Sequence, residues 1–181
     1  MNFMIIHGVF ANPEANWFPW LKKELEKRGF EVIVPKFPTP LDQSLESWLR
    51  VFSHYEDKIN EETVLIGHSL GTAFILNYLE KTSKKIKAAF FVAGFHKLLN
   101  SSYDEINKTF VDKEFKWEKM KNSCNKFFVF ASDNDPYIPS IPLMRRFNVS
   151  KKSVELKPQI LKKYDCIVII TDHSCYDYQM I

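Results

Sequence analysis

The apolar run Thr63-Val64-Leu65-Ile66 ends directly in Gly67-His68-Ser69-Leu70-Gly71, and a helix-forming stretch follows from Thr72 to Lys81. This junction constrains the fold more than any other part of the chain. It fits G-x-S-x-G, a sharp turn that lifts a serine hydroxyl above a sheet where a strand passes into a helix. The residues two before and two after the serine run close to neighbouring backbone, where glycine removes the obstructing Cβ. The serine also stands at a helix N-terminus, whose free N–H groups and positive dipole end favour a developing negative charge. The bland alternative is that Ser69 is simply the N-cap of a helix.

On either side of this junction strand and helix patterns alternate. Phe3 to Ile6 reads as a short strand ending in His7-Gly8. Trp17 to Arg28 reads as an amphipathic helix with Trp17, Trp20, Leu21 and Leu25 on its apolar face, and Gly29 stands in the C-cap region. Glu31 to Pro35 is a second strand, followed by an extended Pro-rich loop to Pro40. Ser44 to Ile59 is an amphipathic helix through Leu45, Trp48, Leu49 and Phe52. Further strands are expected at Ile86 to Val92, Lys126 to Ala131 and Ile167 to Ile170, with short helices around Tyr103 and Trp117. Strands separated by helices, joined by right-handed crossovers, make a mostly parallel sheet with helices on both faces. Reactive groups in such sheets gather at the carboxyl ends of strands. His7-Gly8, Ser69, Gly94 and Asp135 all fall there.

A chain of 181 residues with 45% hydrophobic and 26% charged residues reads as one globular domain, 1-181, with 140-181 irregular or diverged. The formal net charge is only +3, with both signs interspersed, so no nucleic-acid partner is expected. Cys124, Cys166 and Cys175 form no metal-ligand spacing, and their odd number argues against a disulfide framework. No metal or cofactor is therefore expected. No run approaches transmembrane length and the N-terminus does not read as a signal peptide. The expectation is no membrane association and a cytoplasmic location.

A serine nucleophile needs a base, an acid to orient that base, and two donors for an oxyanion. Asp135, in Ser132-Asp133-Asn134-Asp135-Pro136, follows a strand and is the candidate acid. Asp133 competes with it, and an Asx-turn is the structural alternative. The base is expected at His173, the one histidine after Asp135, although a solvated histidine near a frayed terminus fits the same position. The oxyanion donors are expected to be the N–H groups of Leu70 and Val9. His68 is expected in the pocket wall, His54 in solvent, and His96 near the cleft. Trp17, Phe18 and Trp20 fit either an acyl-site cover or an ordinary core face.

His7-Gly8, Asn16-Trp17-Phe18-Pro19-Trp20-Leu21, Gly67-His68-Ser69-Leu70-Gly71 and Ser132-Asp133-Asn134-Asp135-Pro136 occur in that order. Together, from Met1 to about Pro139, they resemble the family of small serine hydrolases that includes retinoblastoma-binding protein 9 and bacterial relatives. The resemblance implies a compact three-layer α/β-hydrolase fold without a large lid, and a triad mapping onto Ser69 and Asp135. It also implies hydrolysis of small-molecule esters or amides. Beyond Pro139 the chain departs from the family's pattern: Thr171-Asp172-His173-Ser174 stands where Gly-His-Phe is usual. That departure supports a second expectation, a catalytically impaired hydrolase-fold protein that binds a protein partner.

Overall fold

The computed structural model describes residues 1–131 together with Asp135, Tyr137 and Ile138. All of them belong to one compact unit, Met1–Val149. The strand expected at Ile167 to Ile170 and the whole of 140-181 lie outside the described residues.

Five strands build one sheet: β1 (Asn2–Ile6), β2 (Glu31–Ile33), β3 (Thr63–His68), β4 (Ala88–Val92) and β5 (Phe127–Phe130). Their order is β2-β1-β3-β4-β5, and every neighbouring pair is parallel. The central strands are apolar through their middles, Phe3 to Ile6, Val64 to Ile66 and Ala88 to Val92, as suits a parallel sheet covered on both faces. Alternate residues feed two separate cores. Met4, Ile6, Leu65, Ala89 and Phe91 join one. Ile5, Val64, Ile66 and Ala88 join the other.

The first core lies under α2 (Leu45–Ser53), α3 (Leu70–Lys81), α4 (Asp104–Val111) and α5 (Trp117–Ser123); the second lies under α1 (Phe18–Lys27). The expected layering, helices on both faces of a parallel sheet, is what the described residues form. Among them no helix is long and apolar enough to cross a membrane.

Local sequence explains where the helices begin and end. In α1, Pro19 sits in the first turn, where its missing N–H costs nothing. The helix stops at Gly29, with φ +81. Gly29 N–H bonds to Glu26 O at 2.9 Å and Phe30 N–H to Leu25 O at 3.2 Å, the paired bonds of a Schellman ending. The buried stripe of α1 is Phe18 and Leu21, with Leu25 packed beside them, whereas Trp20 is 47% exposed. The expected placement of Trp20 on the apolar face is thus corrected. Two residues on from Phe18 is a rotation of about 200°, to the far side of the helix.

The second helix begins at Ser44 as expected, and Ser44 forms a capping box there, its Oγ accepting from Ser47 N–H (3.1 Å) while Ser47 Oγ accepts from Ser44 N–H (3.2 Å). It ends at Ser53, well short of the expected Ile59, and a separate 3-10 turn covers Glu56–Lys58. There the backbone bonds shorten to three residues, His54 N–H to Val51 O at 3.3 Å and Tyr55 N–H to Phe52 O at 2.9 Å, so the last turn tightens, and Ser53 Oγ donates to Arg50 O at 2.7 Å.

Candidate active site

Ser69 joins β3 to α3 with φ 53 and ψ −120, on the positive-φ side where a non-glycine residue is strained. Two backbone bonds hold that conformation. Ser69 N–H donates to Val92 O at the end of β4 (2.9 Å), and Ser69 O accepts from Thr72 N–H (3.0 Å). The Ser69 hydroxyl makes no capping bond to α3, which removes the plain N-cap as the reason for a serine here.

Three glycines let the chain crowd around this turn. A Cβ on Gly71 would stand 2.2 Å from Ile6 O, and one on Gly67 would stand 2.8 Å from Gly71 C and O. A Cβ on Gly8 would stand 2.8 Å from Ser69 Cβ and 3.3 Å from Ser69 Oγ. The loop after β1 therefore lies directly against the candidate nucleophile.

That loop is pinned by a buried histidine. His7 Nε2 accepts from Phe37 N–H at 3.0 Å, so in the neutral ring the proton sits on Nδ1, 2.8 Å from Gly8 O. Burial pushes the His7 pKa down, opposed by its bond to Gly8, and favours this neutral form. Phe37 and Trp48 stand edge-on to the ring, each with centroids 5.4 Å away. Gly8 O faces His7, and the Gly8–Val9 peptide is trans and planar, so Val9 N–H faces away from His7. Leu70 supplies the other candidate donor from the first turn of α3, where N–H groups lack intrahelical partners.

His68 packs away from its sequence neighbour, against Trp17 (6.0 Å between centroids) and Phe18 (5.8 Å) of the α1 layer. Trp17 and Phe18 also meet edge to face at 4.7 Å, so these rings form core as well as bordering the turn. Burial lowers the His68 pKa to about 4, a nearby Asp135 carboxylate works against that shift, and His7 adds to it. Asp135 is therefore close enough to the turn to act on its histidine electrostatically.

Asp135 Oδ1 accepts from Tyr137 N–H and Ile138 N–H, both at 2.9 Å. This is the Asx-turn set against the acid in the sequence reading, and it occupies one of two carboxylate oxygens. Asp133 and His173 lie outside the described residues. His96 is buried, with Trp117 at 5.1 Å and Phe115 at 6.5 Å, and His54 is exposed.

Two contributors have no counterpart in the sequence reading. One is the His7 pin, whose only local signal was a histidine before a glycine at a strand end. The other is Thr72, which donates to Gly67 O at 3.1 Å and fills the space a Gly94 Cβ would need, at 2.5 Å. Nothing local announces the second.

A parallel sheet with a strained serine turn between a central strand and its following helix defines an α/β hydrolase. Accordingly, the crystal structure of the ydeN gene product from Bacillus subtilis superposes with a TM-score of 0.77 and 32% identity, covering 86% of this chain and 85% of that one. By sequence, YdeN of B. subtilis strain 168 is 36% identical over 137 residues, 75% of this chain and 71% of the relative. The serine hydrolase RBBP9 of Rattus norvegicus is 29% identical over 124 residues, 68% and 64% of the two chains. The structure of Est1E from Butyrivibrio proteoclasticus with ferulic acid bound shares the fold alone, with a TM-score of 0.60 at 15% identity over 81% of this chain and 76% of that one. The serine hydrolase family pattern matches residues 3–146, and the chain belongs to that family.

Proposed function

We propose that the protein cleaves small carboxylic esters or amides through an acyl-enzyme on Ser69. In this reading Ser69 Oγ attacks the substrate carbonyl, and the N–H groups of Val9 and Leu70 receive the oxyanion. His173 takes the serine proton and returns it to the leaving group, and water then deacylates the serine by the same route. Asp135 orients His173 and stabilises its imidazolium form. The observation that carries the proposal is the Ser69 backbone, held at φ 53 with the hydroxyl unused for capping and the Gly8 loop against it. Backbone strain of that kind persists where a site needs it.

The substrate is a small molecule. We also place the protein in the cytoplasm, because its three cysteines form no evident framework and a reducing compartment keeps such thiols free.

The test is labelling with a fluorophosphonate probe, alongside hydrolysis of p-nitrophenyl acetate. Labelling forms an Oγ–P bond and expels fluoride, so it reports an activated serine. Wild type should label and turn over, and Ser69→Ala should do neither while unfolding at the same urea concentration. A wild type that neither labels nor hydrolyses the ester sinks the reading.

A further inference from the structure

Phe10, the residue after Val9, combines two features that folding does not explain. Its φ is 55, costly for a bulky L-residue and met without cost by glycine. Its side chain is nonetheless 57% exposed, so core packing returns little for that strain. The ring contacts Tyr103 edge to face at 5.9 Å, and Tyr103, itself 44% exposed, is the N-cap residue of α4.

A directed chain of hydrogen bonds ties the same two segments together. Phe10 N–H donates to Thr39 Oγ1 (2.9 Å), and the Thr39 hydroxyl donates to Gln43 Oε1 (2.6 Å). The Gln43 amide then donates to Ile106 O (3.1 Å) and Asn107 Oδ1 (3.0 Å) on α4. Each polar group hands on to the next, an arrangement that stiffens all its members. The ring pair is thus fixed at both ends, on the loop after β1 and at the start of α4.

We propose that Phe10 and Tyr103 form the wall of an apolar substrate subsite beside Ser69, taking an uncharged alkyl or aryl group of the ester or amide. Phe10 is two positions on from Gly8, a reach of at most about 7 Å. Gly8 in turn lies within 3.3 Å, by its added Cβ, of Ser69 Oγ. Phe10, Tyr103, Thr39, Gln43 and Asn107 all lack charge, so the wall favours neutral groups over ionised ones. This inference rests on Ser69 as the nucleophile.

The experiment compares labelling rate constants for an ethyl and an octyl fluorophosphonate on the full chain. Wild type should prefer the octyl probe. Phe10→Ala and Tyr103→Ala should each lower the octyl-to-ethyl ratio by at least about fivefold, little more than the loss of one buried methylene. The ethyl rate should stay within about twofold of wild type, since no uniform loss is expected where only part of the substrate loses its contacts. An equal loss of both probes in either variant, an unchanged ratio in both, or no wild-type preference would overturn the subsite while leaving the hydrolase reading intact. Failure of both probes on wild type would overturn both.

Discussion

Gly71→Ala tests whether the serine turn depends on close backbone approach. The substitution sets two opposed effects against each other. Gly71 is the second residue of α3, and alanine in a helix is favoured over glycine by about 1 kcal/mol. The new Cβ, however, would stand 2.2 Å from Ile6 O and 2.8 Å from both Ile6 C and His7 O. A relaxed contact is at least about 3.4 Å, so roughly 1 Å of separation must open between α3 and the end of β1. All three obstructing atoms are backbone, and Ile6 is held in register opposite Gly67 in the sheet. Overpacking of this kind costs up to about 3 kcal/mol and occasionally more. The clash therefore wins, leaving a net destabilisation of about 2 kcal/mol. Urea unfolding should show a midpoint lower by about 1 M at unchanged slope. Gly29→Ala is the control with the opposite cause. No atom lies within 4 Å of its Cβ position, but its φ of +81 makes alanine unfavourable by about 1–2 kcal/mol. Only Gly71→Ala should also slow fluorophosphonate labelling, because only it moves the β1 loop against Ser69. A Gly71→Ala protein as stable as wild type would refute the argument from close approach.

Three further outcomes follow from the geometry. Glu80, nearly buried on α3, accepts from Lys113 Nζ and from Lys116 N–H (3.2 Å), so Glu80→Ala should cost about 2 kcal/mol in urea unfolding, the part-exposed lysine limiting the loss. His68 is held neutral with its pKa lowered from 6.5 to about 4. Its contribution is complete above pH 6.5 and is lost as pH falls towards 4, by up to about 3 kcal/mol, because the unfolded chain binds the proton first. A stability profile flat from pH 7 to pH 5, or one unaltered in His68→Gln, would contradict that. Finally, Asp135→Asn should reduce kcat for p-nitrophenyl acetate far more than Asp133→Asn, since an amide favours the wrong imidazole tautomer; equal losses would move the acid.

Much of the fold was legible because its signals are local. The apolar run Thr63 to Ile66 marked β3 as a strand running into the serine turn, and Gly29 marked the end of α1. Where the reading went astray, local backbone geometry outweighed composition. Trp20 looks like core by composition, but its angle from Phe18 carries it into solvent. The amphipathic pattern beyond Ser53 continues on paper, yet the backbone tightens there to i→i−3 bonds at His54 and Tyr55 and the helix stops.

The site divides in the same way. A serine on a strained turn leaves a strong local trace, because glycines must flank it at fixed spacing. What supports the turn leaves almost none. His7 acts through Phe37, 30 positions on, and Phe10 through Thr39, 29 positions on, whose neighbour Gln43 reaches Asn107 across 64 positions. Such pairings arise only when the sheet brings β1, the Pro-rich loop and α4 to one edge. Their physical logic is common to both. Each satisfies a backbone group of the loop after β1, Gly8 O in one case and Phe10 N–H in the other. Between those two anchors lies Val9, whose own N–H is left for an incoming oxygen in the proposed mechanism. A donor held in advance by bonds on both sides needs no rearrangement as charge develops, which is where catalytic stabilisation is largest. The loop's support, invisible in sequence, is therefore as much a part of the proposed chemistry as the serine that announces it.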